Sequence, residues 1–507
     1  MMKNAFIAFS ILSIFARFAA SAEFIVKGPF ELNRANSRFV QPPSGTIQVQ
    51  IWAEGFTRNV KTLQIRLKFI DKDQNDRVPD WFSIASGNFL GYAVVPQFAT
   101  GGTADYATPT YFTFEFATAQ DLSTQQHIVT VSYDYSSTAS VSPYRIVIDQ
   151  DPDSSFMKDE DGRNMDFVQR DGHFTIGANT WIVDNSGQGD FTTIQACIDA
   201  QTTVDGDLVL VQDSGTAYSG SGNRDISLLG KEIILASYPS GDPSNCTINC
   251  GGSQSGPHRG FYFNTTGESP NTLLDGFSIT GGYVVNTVGA DSITDRGSAI
   301  YCRLSSPTIS NCSIFGNTVR NESAYPVVVG AISIYDSSAI IVDNVVTQNV
   351  SDTGSGGALV YGGGISCVGA GSTPWIQDNV ISYNSSSDGG GVYSSGGSSP
   401  SIINNTIVHN SANMNGGGLL FQQTGVTTRA SHNRVEYNTA PMGGAIFIRD
   451  AGPTILGNEI TYNISQLGAG LCIVSRLLDI EAPIISCNSF ESNSAIAGIG
   501  ILIAYPR

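Results

Sequence analysis

The sequence predicts an all-β protein in which an N-terminal antiparallel β-sandwich is followed by a parallel β-helix. Apolar and polar residues alternate over residues 23–176, and a nine-residue pattern recurs seven times between residues 309 and 493. Alternation is typical of strands with one buried face. A recurring unit too short to bury its own apolar face is typical of stacked coils.

The alternation of the N-terminal region marks several strands. Its clearest sets are Ile47, Val49 and Ile51; Leu63, Ile65, Leu67 and Phe69; Phe112, Phe114 and Phe116; and Val129, Val131, Tyr133 and Tyr135. Several such strands in about 150 residues favour an antiparallel sandwich. The closing stretches, Tyr144 to Asp149 and Phe156 to Gly162, resemble the last strands of cohesin-like and related carbohydrate-binding sandwiches of bacterial exoproteins.

The repeat is the main signal of the C-terminal region. Each unit has an apolar residue at position zero, Asn or Cys at position three, an apolar residue at position five and Asn at position eight. The units are 309–317, 341–349, 376–384, 402–410, 430–438, 455–463 and 485–493. Stacked coils bring equal positions together at about 4.8 Å per layer. We therefore expect apolar side chains to stack inside, Asn amides to hydrogen-bond from layer to layer, and glycine clusters such as 389–391 to form a corner.

The start of this region resembles a known family. Asp190 to Asp199 predicts a short amphipathic helix near 192–200 that caps the first coil, and Asp207 to Val211 and Gly230 to Leu235 predict the first strands. These segments look like the opening of the pectin-lyase-like right-handed β-helix superfamily. Gly-Gly-Ala runs at 356–358 and 443–445 resemble repeats of polymorphic outer-membrane adhesins. The resemblance implies a right-handed helix, while the superfamily contains lyases, hydrolases, esterases, adhesins and inert repeat proteins.

Charge and the first residues limit the classes of function. The 507 residues carry 26 Lys and Arg against 44 Asp and Glu, a net charge of −18, which disfavours a nucleic-acid partner. Residues 1–22 read as a secretory signal peptide, and no later apolar run is long enough to span a bilayer. We expect an exported protein without membrane insertion, with a sandwich domain at 23–176 and the β-helix at 177–507.

Acid–base chemistry has weak candidates at position two of the repeat. Asp343 and Asp378 should lie within about 5 Å on neighbouring layers, and His432 follows in the same column. Two buried carboxylates at that distance would keep one proton between them, as general acid–base catalysis requires. Alternatively, both carboxylates face water at a turn. The active-site motifs of pectin esterases and polygalacturonases are absent from the sequence.

Position seven predicts a carbohydrate-binding strip. It reads Tyr383, His409, Tyr437 and Tyr462 on adjacent layers. Aromatic rings in a row bind sugar rings by stacking. The alternative is that the rings pack on each other and only stabilise the helix.

Calcium is the one predicted cofactor. Asp149, Asp151, Asp153 and Glu160 nearly match the spacing of a calcium-binding loop, although Ser154 replaces the usual glycine. A solvated acidic loop is the alternative. The eight cysteines are scattered, which favours packed core thiols with one or two disulfide bridges.

Two functions remain open from the sequence. The first is an exported, non-catalytic surface or matrix protein that binds a polysaccharide or a cell-surface protein through the β-helix. The second is a secreted polysaccharide hydrolase or lyase with an appended binding domain. The repeat also runs to the last residues without a capping helix, so we expect end-to-end self-association through that end.

Overall fold

The architecture was analysed in a computed structural model of the chain. The residues that it describes are 23–27, 45–54, 60–70, 82–88, 97–98, 112–120, 125–135, 143–149, 155–159, 161, 163, 165, 167–175, 179–287, 296–354, 357–475 and 481–504. The predicted signal peptide and the predicted domain boundary at residue 176 lie outside these residues.

The N-terminal region consists of strands. Within its described residues they are β1 Glu23–Lys27, β2 Gly45–Glu54, β3 Val60–Ile65, β4 Leu67–Ile70, β5 Phe82–Asn88, β6 Gln97–Phe98, β7 Phe112–Gln120, β8 Gln126–Tyr135, β9 Pro143–Ile148, β10 Phe156–Asp159, β11 Val168–Arg170 and β12 Gly172–Thr175. They form three sheets, with the orders β11-β1-β2-β8-β5, β10-β3-β7-β6 and β12-β9-β4. Apart from the parallel pair β1 and β11, neighbours run antiparallel, which confirms the predicted strand direction.

The predicted period of two is visible in the burial of these strands. Val49, Ile51, Leu63, Ile65 and Phe69 are fully buried. Because successive side chains of a strand point to opposite faces, every second residue reaches the core between the sheets.

The C-terminal region is a long series of short strands. They are β13 Thr180–Val183, β14 Leu208–Gln212, β15 Tyr218–Ser219, β16 Ile234–Tyr238, β17 Thr247–Asn249, β18 Phe261–Asn264, β19 Leu273–Asp275, β20 Ser278–Thr280, β21 Tyr283–Asn286, β22 Ile300–Arg303, β23 Thr308–Ser310, β24 Ser313–Phe315, β25 Thr318–Asn321, β26 Val327–Val328, β27 Ile332–Tyr335, β28 Ile340–Val342, β29 Val345–Thr347, β30 Val350–Asp352, β31 Val360–Tyr361, β32 Ile365–Val368, β33 Trp375–Gln377, β34 Val380–Ser382, β35 Ser385–Asp388, β36 Val392–Ser395, β37 Ser401–Ile403, β38 Thr406–Val408, β39 Ser411–Asn415, β40 Leu419–Gln422, β41 Arg429–Ser431, β42 Arg434–Glu436, β43 Ile446–Arg449, β44 Thr454–Leu456, β45 Glu459–Thr461, β46 Leu471–Val474, β47 Ile484–Ser486, β48 Ser489–Glu491 and β49 Ile501–Ala504.

These strands assemble into four parallel sheets, of which three continue to the last coil and the fourth spans only β21 to β39. The eleven-stranded sheet has the order β13-β14-β16-β19-β23-β28-β33-β37-β41-β44-β47, and the ten-stranded sheet is β15-β17-β20-β24-β29-β34-β38-β42-β45-β48. The nine-stranded sheet is β18-β22-β27-β32-β36-β40-β43-β46-β49. The seven-stranded sheet is β21-β25-β30-β35-β31-β26, with β39 paired to β35. The predicted parallel β-helix is therefore confirmed.

The register of the coils follows the repeat. Ile341 pairs with Ile376 in the next coil, and Ile376 pairs with Ile402. These position-zero side chains are fully buried and belong to the core cluster that fills the solenoid. Equal positions stack because a slip of one residue would turn every inward side chain out to solvent.

Two asparagine ladders line the inside of the solenoid. The first asparagine ladder is position three (Asn344, Asn379, Asn405, Asn433, Asn458 and Asn488), and the second asparagine ladder is position eight (Asn317, Asn349, Asn384, Asn410, Asn438, Asn463 and Asn493). In both, the Nδ2 of each residue donates to the Oδ1 of the next at 2.8–3.1 Å. The predicted layer-to-layer hydrogen bonds are confirmed.

The glycine clusters make the predicted corner before the nine-stranded sheet. Gly389 has a φ of 66°, a left-handed conformation that glycine adopts at little cost. A Cβ on the adjacent Gly390 would lie 2.4 Å from the carbonyl oxygen of Ser411 in the next coil. The corner therefore needs glycine both for its backbone angle and for the close approach of the coils.

A short helix, α1 Ile194–Asp199, lies at the start of the solenoid. Its Ile194, Cys197 and Ile198 side chains are fully buried in the solenoid core, and Thr193 caps it by accepting a hydrogen bond from the Ala196 amide at 3.3 Å. Lys231 donates to the Ala200 carbonyl just beyond its C-terminal end, at 3.0 Å. This cation satisfies carbonyl oxygens that a helix end leaves without partners.

The last described coil carries exposed apolar side chains. Ile484, Ile496, Ile499, Ile501 and Ile503 are all exposed. Association of chains through this coil stays a prediction.

Candidate functional site

Both outer columns that the sequence singled out lie at corners of the solenoid. Position two follows each strand of the eleven-stranded sheet, and position seven follows each strand of the ten-stranded sheet. The non-glycine residues at these positions have φ between 49° and 58°: Asn311, Asp343, Asp378, Asn404, His432 and Cys487 in the first column, and Gln348, Tyr383, His409, Tyr437, Tyr462 and Ser492 in the second. The left-handed turn sends the next residue, an asparagine in most coils, back into the interior.

The structure brings Asp343 and Asp378 together on one guanidinium. Arg170, at the end of β11 in the sandwich domain, places its Nε 2.8 Å from Asp343 Oδ2 and its Nη2 3.8 Å from Asp378 Oδ2. The Nη2 of Arg170 is also 3.4 Å from Glu23 Oε2. The Asp343 and Asp378 side chains are only 22% and 7% exposed. We call Arg170, Glu23, Asp343 and Asp378 the docking cluster, because it joins the sandwich to the solenoid.

The charges of the docking cluster shift one another. Burial raises the pKa of Glu23 well above its usual value; Arg170 opposes this shift, and the carboxylates of Asp378 and Asp343 add to it. Burial by itself would lower the pKa of Arg170, but Asp343, Glu23 and Asp378 raise it above its usual value. Three carboxylates around one guanidinium thus favour a protonated Glu23 and a permanently charged Arg170.

This arrangement corrects the environment predicted for the acid–base candidates. The sequence placed Asp343 and Asp378 beside each other at a water-facing turn or in a catalytic column, whereas both contact a cation of the other domain. The pair gives the domain contact two negative charges opposite the positive charge of Arg170. His432 lies two coils beyond Asp378. Gly457 occupies the same corner in the following coil, and a Cβ added to Gly457 would lie 3.2 Å from the His432 ring.

Further hydrogen bonds support the domain contact. Gln377, at the end of β33, donates through Nε2 to the Gln169 carbonyl at 3.1 Å and to Glu23 Oε1 at 3.3 Å. Asn271 donates to the Ile70 carbonyl at 2.8 Å. No local pattern in the sequence predicts the contacts of Arg170, Glu23 and Gln377, because the residues of each pair are some 150 to 350 positions apart.

The docking cluster predicts a specific pH dependence. A raised pKa for Glu23 means that its contribution to stability is fully present below the unfolded value near 4.5 and is lost as the pH rises through the folded value. We therefore expect Glu23→Gln to remove this loss, so that the variant gains stability over the wild type as the pH rises toward neutral. The measurement is the melting temperature of both proteins from pH 4 to pH 8. Parallel curves would contradict a protonated Glu23.

The structure places the four position-seven rings in one stack. Ring centroids are 4.8 Å apart for Tyr383 and His409, and 5.0 Å apart for the pairs His409–Tyr437 and Tyr437–Tyr462, with interplanar angles of 6–14°. We call these four residues the aromatic ladder. Its tyrosines are 51%, 44% and 47% exposed. Because the inner ring faces cover one another, the ladder presents ring edges and hydroxyl groups along its length, and an outward face only at each end.

His409 is held between two tyrosine rings. Burial lowers its pKa below the usual value, and Glu436 opposes this shift. The imidazole is therefore neutral at physiological pH, and the aromatic ladder is uncharged there.

Of the calcium candidates, only Asp149 lies within the described residues. Its carboxylate forms two ion pairs, with Arg66 Nη1 and with Lys68 Nζ, both at 2.8 Å. A calcium ion would have to compete with these two cations for the Asp149 oxygens. No group of three or more His, Cys, Asp or Glu side chains suited to a metal occurs in the described part of the chain. Asp151, Asp153 and Glu160 lie outside it, so calcium binding stays a prediction.

The cysteines are free thiols, so the expectation of one or two bridges is wrong. Seven are buried in the solenoid, and Cys487 is exposed. Burial raises the pKa of Cys472 to about 11 and of Cys197 and Cys250 to about 12. These thiols stay protonated and act as small apolar core residues.

The chain was compared with curated proteins and with solved structures. No curated protein matches the chain. Its N-terminal region is similar in structure to cohesins that cover 31% of the chain: a non-cellulosomal cohesin from Archaeoglobus fulgidus (13% identity, 93% of that chain, TM-score 0.21), a cohesin from Acetivibrio cellulolyticus in complex with a dockerin (13%, 98%, 0.23), and the cohesin module of a family 33 glycoside hydrolase from Clostridium perfringens (9%, 97%, 0.23).

The described residues contain no helix that is long and apolar enough to cross a membrane.

Residues 298–482 match the family model of the right-handed β-helix region. This match covers the coils from β22 to β46 and agrees with the parallel sheets and stacked asparagine ladders. The solenoid of this chain therefore contains a right-handed β-helix region.

Proposed function

We propose that the chain is a non-catalytic binding protein of the cell exterior, whose β-helix offers the aromatic ladder to a glycan or protein partner. The observation that carries the proposal is the presence of exposed rings at corners that do not require them. Gly316 occupies the same corner in an earlier coil, and Gln348 and Ser492 occupy it on either side of the ladder. Small or flexible residues therefore suffice there.

The rings come at an energetic cost. A non-glycine residue in the left-handed region costs on the order of 1 kcal/mol, and Tyr383, Tyr437 and Tyr462 each have such a φ. Ring stacking returns about 0.5–1.5 kcal/mol per pair. The side chains nevertheless remain about half exposed. Tyrosine in contiguous exposed groups is typical of binding surfaces, because it combines a rigid apolar body with a polar tip.

The geometry of the ladder determines how a partner would bind. A ligand along the ladder meets ring edges and tyrosine hydroxyl groups at one-coil intervals, so hydrogen bonds to sugar hydroxyls or to peptide groups are the main contacts. A sugar ring could stack only on the outward face of Tyr383 or of Tyr462. This differs from the strip of ring faces that the sequence predicted, because the rings pack on each other, as the alternative expectation had it.

The alternative function is a polysaccharide hydrolase or lyase. It requires a carboxylate pair whose pKa values are pushed apart beside a substrate. Asp343 and Asp378 instead share Arg170 in the domain contact.

Export to the cell exterior is supported by the predicted signal peptide.

Binding at the ladder is tested by removing one central ring. We expect Tyr437→Asn to weaken binding to the glycan or protein ligand found on an array by about tenfold or more, about 1.4 kcal/mol. Two stacking pairs are lost, but asparagine is better tolerated in the left-handed conformation, so stability should fall by no more than about 2 kcal/mol. The measurement is titration of the full chain by calorimetry, together with thermal melting.

The matched control is Tyr325→Asn, because Tyr325 is an exposed tyrosine outside the ladder. Equal affinity of both variants and the wild type would contradict the ladder as the binding surface. Release of reducing sugars or unsaturated products from any polysaccharide in a panel would contradict the non-catalytic assignment.

A further inference from the structure

A partly open cavity lies between the sandwich and the solenoid, beside the docking cluster. Its volume is about 410 Å³. One wall comes from β1, β9, β11 and β12 of the sandwich, and the other from β19, β23, β28 and β33 of the eleven-stranded sheet. This volume lies within the range of small-molecule sites, which occur preferentially at domain interfaces.

The solenoid wall of this interdomain cavity offers an apolar surface. Trp375 lies beside Ile340 in the sheet register, and Val342 follows on the same strand as Ile340. The indole Nε1 of Trp375 donates to Gln377 Oε1 at 2.6 Å, which holds the ring in one orientation. A rigid indole next to aliphatic side chains suits the C–H face of a sugar ring.

Charged and polar side chains line the rest of the cavity, and their charges cancel. Arg145 donates to Asp171 at 3.2 Å, and Arg170 pairs with Asp343 at 2.8 Å. Lys27 and Asp275 add one charge of each sign. The three cations and three anions thus sum to zero, and His173 is the remaining ionisable side chain of the lining. A balanced lining favours a neutral ligand over a phosphate or a uronate.

The cavity also offers hydrogen-bonding groups to an occupant. The Arg145 Nε is buried and has no hydrogen-bond partner among the residues that the structure describes. Ser310 and Asn311 lie on the opposite wall. An unpaired buried donor costs about 1–3 kcal/mol, so an occupant with hydroxyl groups would gain affinity by pairing with it.

We propose that the interdomain cavity binds a neutral mono- or disaccharide. An apolar wall that faces many balanced polar groups matches a molecule with an apolar ring face and a rim of hydroxyl groups. A hydrocarbon chain would leave the polar rim unpaired, and an anion would meet no excess of positive charge. The site lies on a different sheet from the aromatic ladder and does not depend on it.

The test titrates the full chain with glucose, galactose, mannose, cellobiose and lactose, and with glucuronate as the charged comparison. We expect millimolar or tighter binding of at least one neutral sugar, followed by calorimetry and by tryptophan fluorescence. Glucuronate should bind at least about tenfold more weakly, about 1.4 kcal/mol. Failure of all five neutral sugars at high millimolar concentration would overturn the proposal, as would tighter binding of glucuronate.

Variants locate the sugar. Ser310→Phe should fill the cavity and weaken binding by about tenfold or more, whereas the control Ser401→Phe, on the same sheet face but outside the cavity wall, should leave it unchanged. Trp375→Phe should abolish the fluorescence response while calorimetric binding falls less than about threefold. Unchanged binding in Ser310→Phe, or a full fluorescence response in Trp375→Phe, would place the sugar elsewhere. Tyr437→Asn should not affect it, which separates this site from the ladder.

Discussion

Replacing Asn405 by alanine will lower the free energy of unfolding of the solenoid by about 3–5 kcal/mol. Asn405 is 1% exposed and stands in the middle of the first asparagine ladder. Its Oδ1 accepts from the backbone and side-chain nitrogens of Asn379, both at 2.9 Å. Its Nδ2 donates to the carbonyls of Ile376 and Ile403 at 2.9 Å and to Asn433 Oδ1 at 3.0 Å.

The cost is large because the alanine side chain can replace none of these contacts. The amide groups of Asn379 and the Oδ1 of Asn433 would lose partners in an interior from which water is excluded, and each unsatisfied buried group costs about 1–3 kcal/mol. Urea denaturation followed by circular dichroism measures the effect. The control is Gln348→Gly, because Gln348 is an exposed residue at an outer corner with a φ of 55°. It should change stability by no more than about 1 kcal/mol. An Asn405→Ala loss below about 1 kcal/mol would show that the ladder contributes little.

The sequence predicts the solenoid well because its constraints are local and repeated. Ile376 and Asn379 have equivalents in almost every unit, and stacking of identical positions makes one register far better than any other. The left-handed corners were visible only in part. Asp, Asn and Gly at position two suggest a turn, but the tyrosines at position seven give no such hint.

Orientation of side chains across layers was harder to predict than their position. The spacing of Tyr383, His409 and Tyr437 gave their layers correctly, yet whether the rings face outward or face each other depends on side-chain torsions at a left-handed corner.

The cysteine thiols illustrate a similar limit of prediction from the sequence. The predicted export would permit disulfide bridges at Cys302 and Cys367, but each of these cysteines is packed as an apolar core residue on its own coil.

The domain contact could not be predicted from the sequence. Arg170 occurs in a short strand with no repeat, and Asp343 resembles any other corner residue of the solenoid. The contact between Arg170 and Asp343 depends on how the sandwich packs against the solenoid. Neither the alternation of the sandwich nor the repeat of the solenoid predicts that packing. The acid–base hypothesis placed Asp343 and Asp378 on neighbouring coils but did not include the Arg170 cation that both contact.

Replacing Arg170 by methionine will destabilise the docked form of the full chain by about 2–4 kcal/mol. Methionine preserves much of the side-chain volume but removes the cation that holds Glu23, Asp343 and Asp378 together. Breaking a fully buried ion pair costs about 3–5 kcal/mol, and the 22% exposure of Arg170 and Asp343 reduces that cost through solvent screening. We expect calorimetric melting of the variant to show separate transitions for the sandwich and the solenoid. The wild type should show one coupled transition.

Two further variants separate charge from packing in this contact. Arg163→Met removes a sandwich arginine that pairs with Asp161 at 2.9 Å. Because the Arg163 and Asp161 side chains are 68% and 59% exposed, this change should lower the free energy of unfolding by less than about 1 kcal/mol. In Arg170→Met/Asp343→Asn/Asp378→Asn, the carboxylates left without their cation become neutral amides, and asparagine is well tolerated at left-handed corners. This triple variant should therefore recover most of the lost stability, because the penalty comes from uncompensated carboxylates and not from the missing arginine contacts. If the triple variant is no more stable than Arg170→Met, the packing of the arginine stem, and not its charge, holds the two domains together.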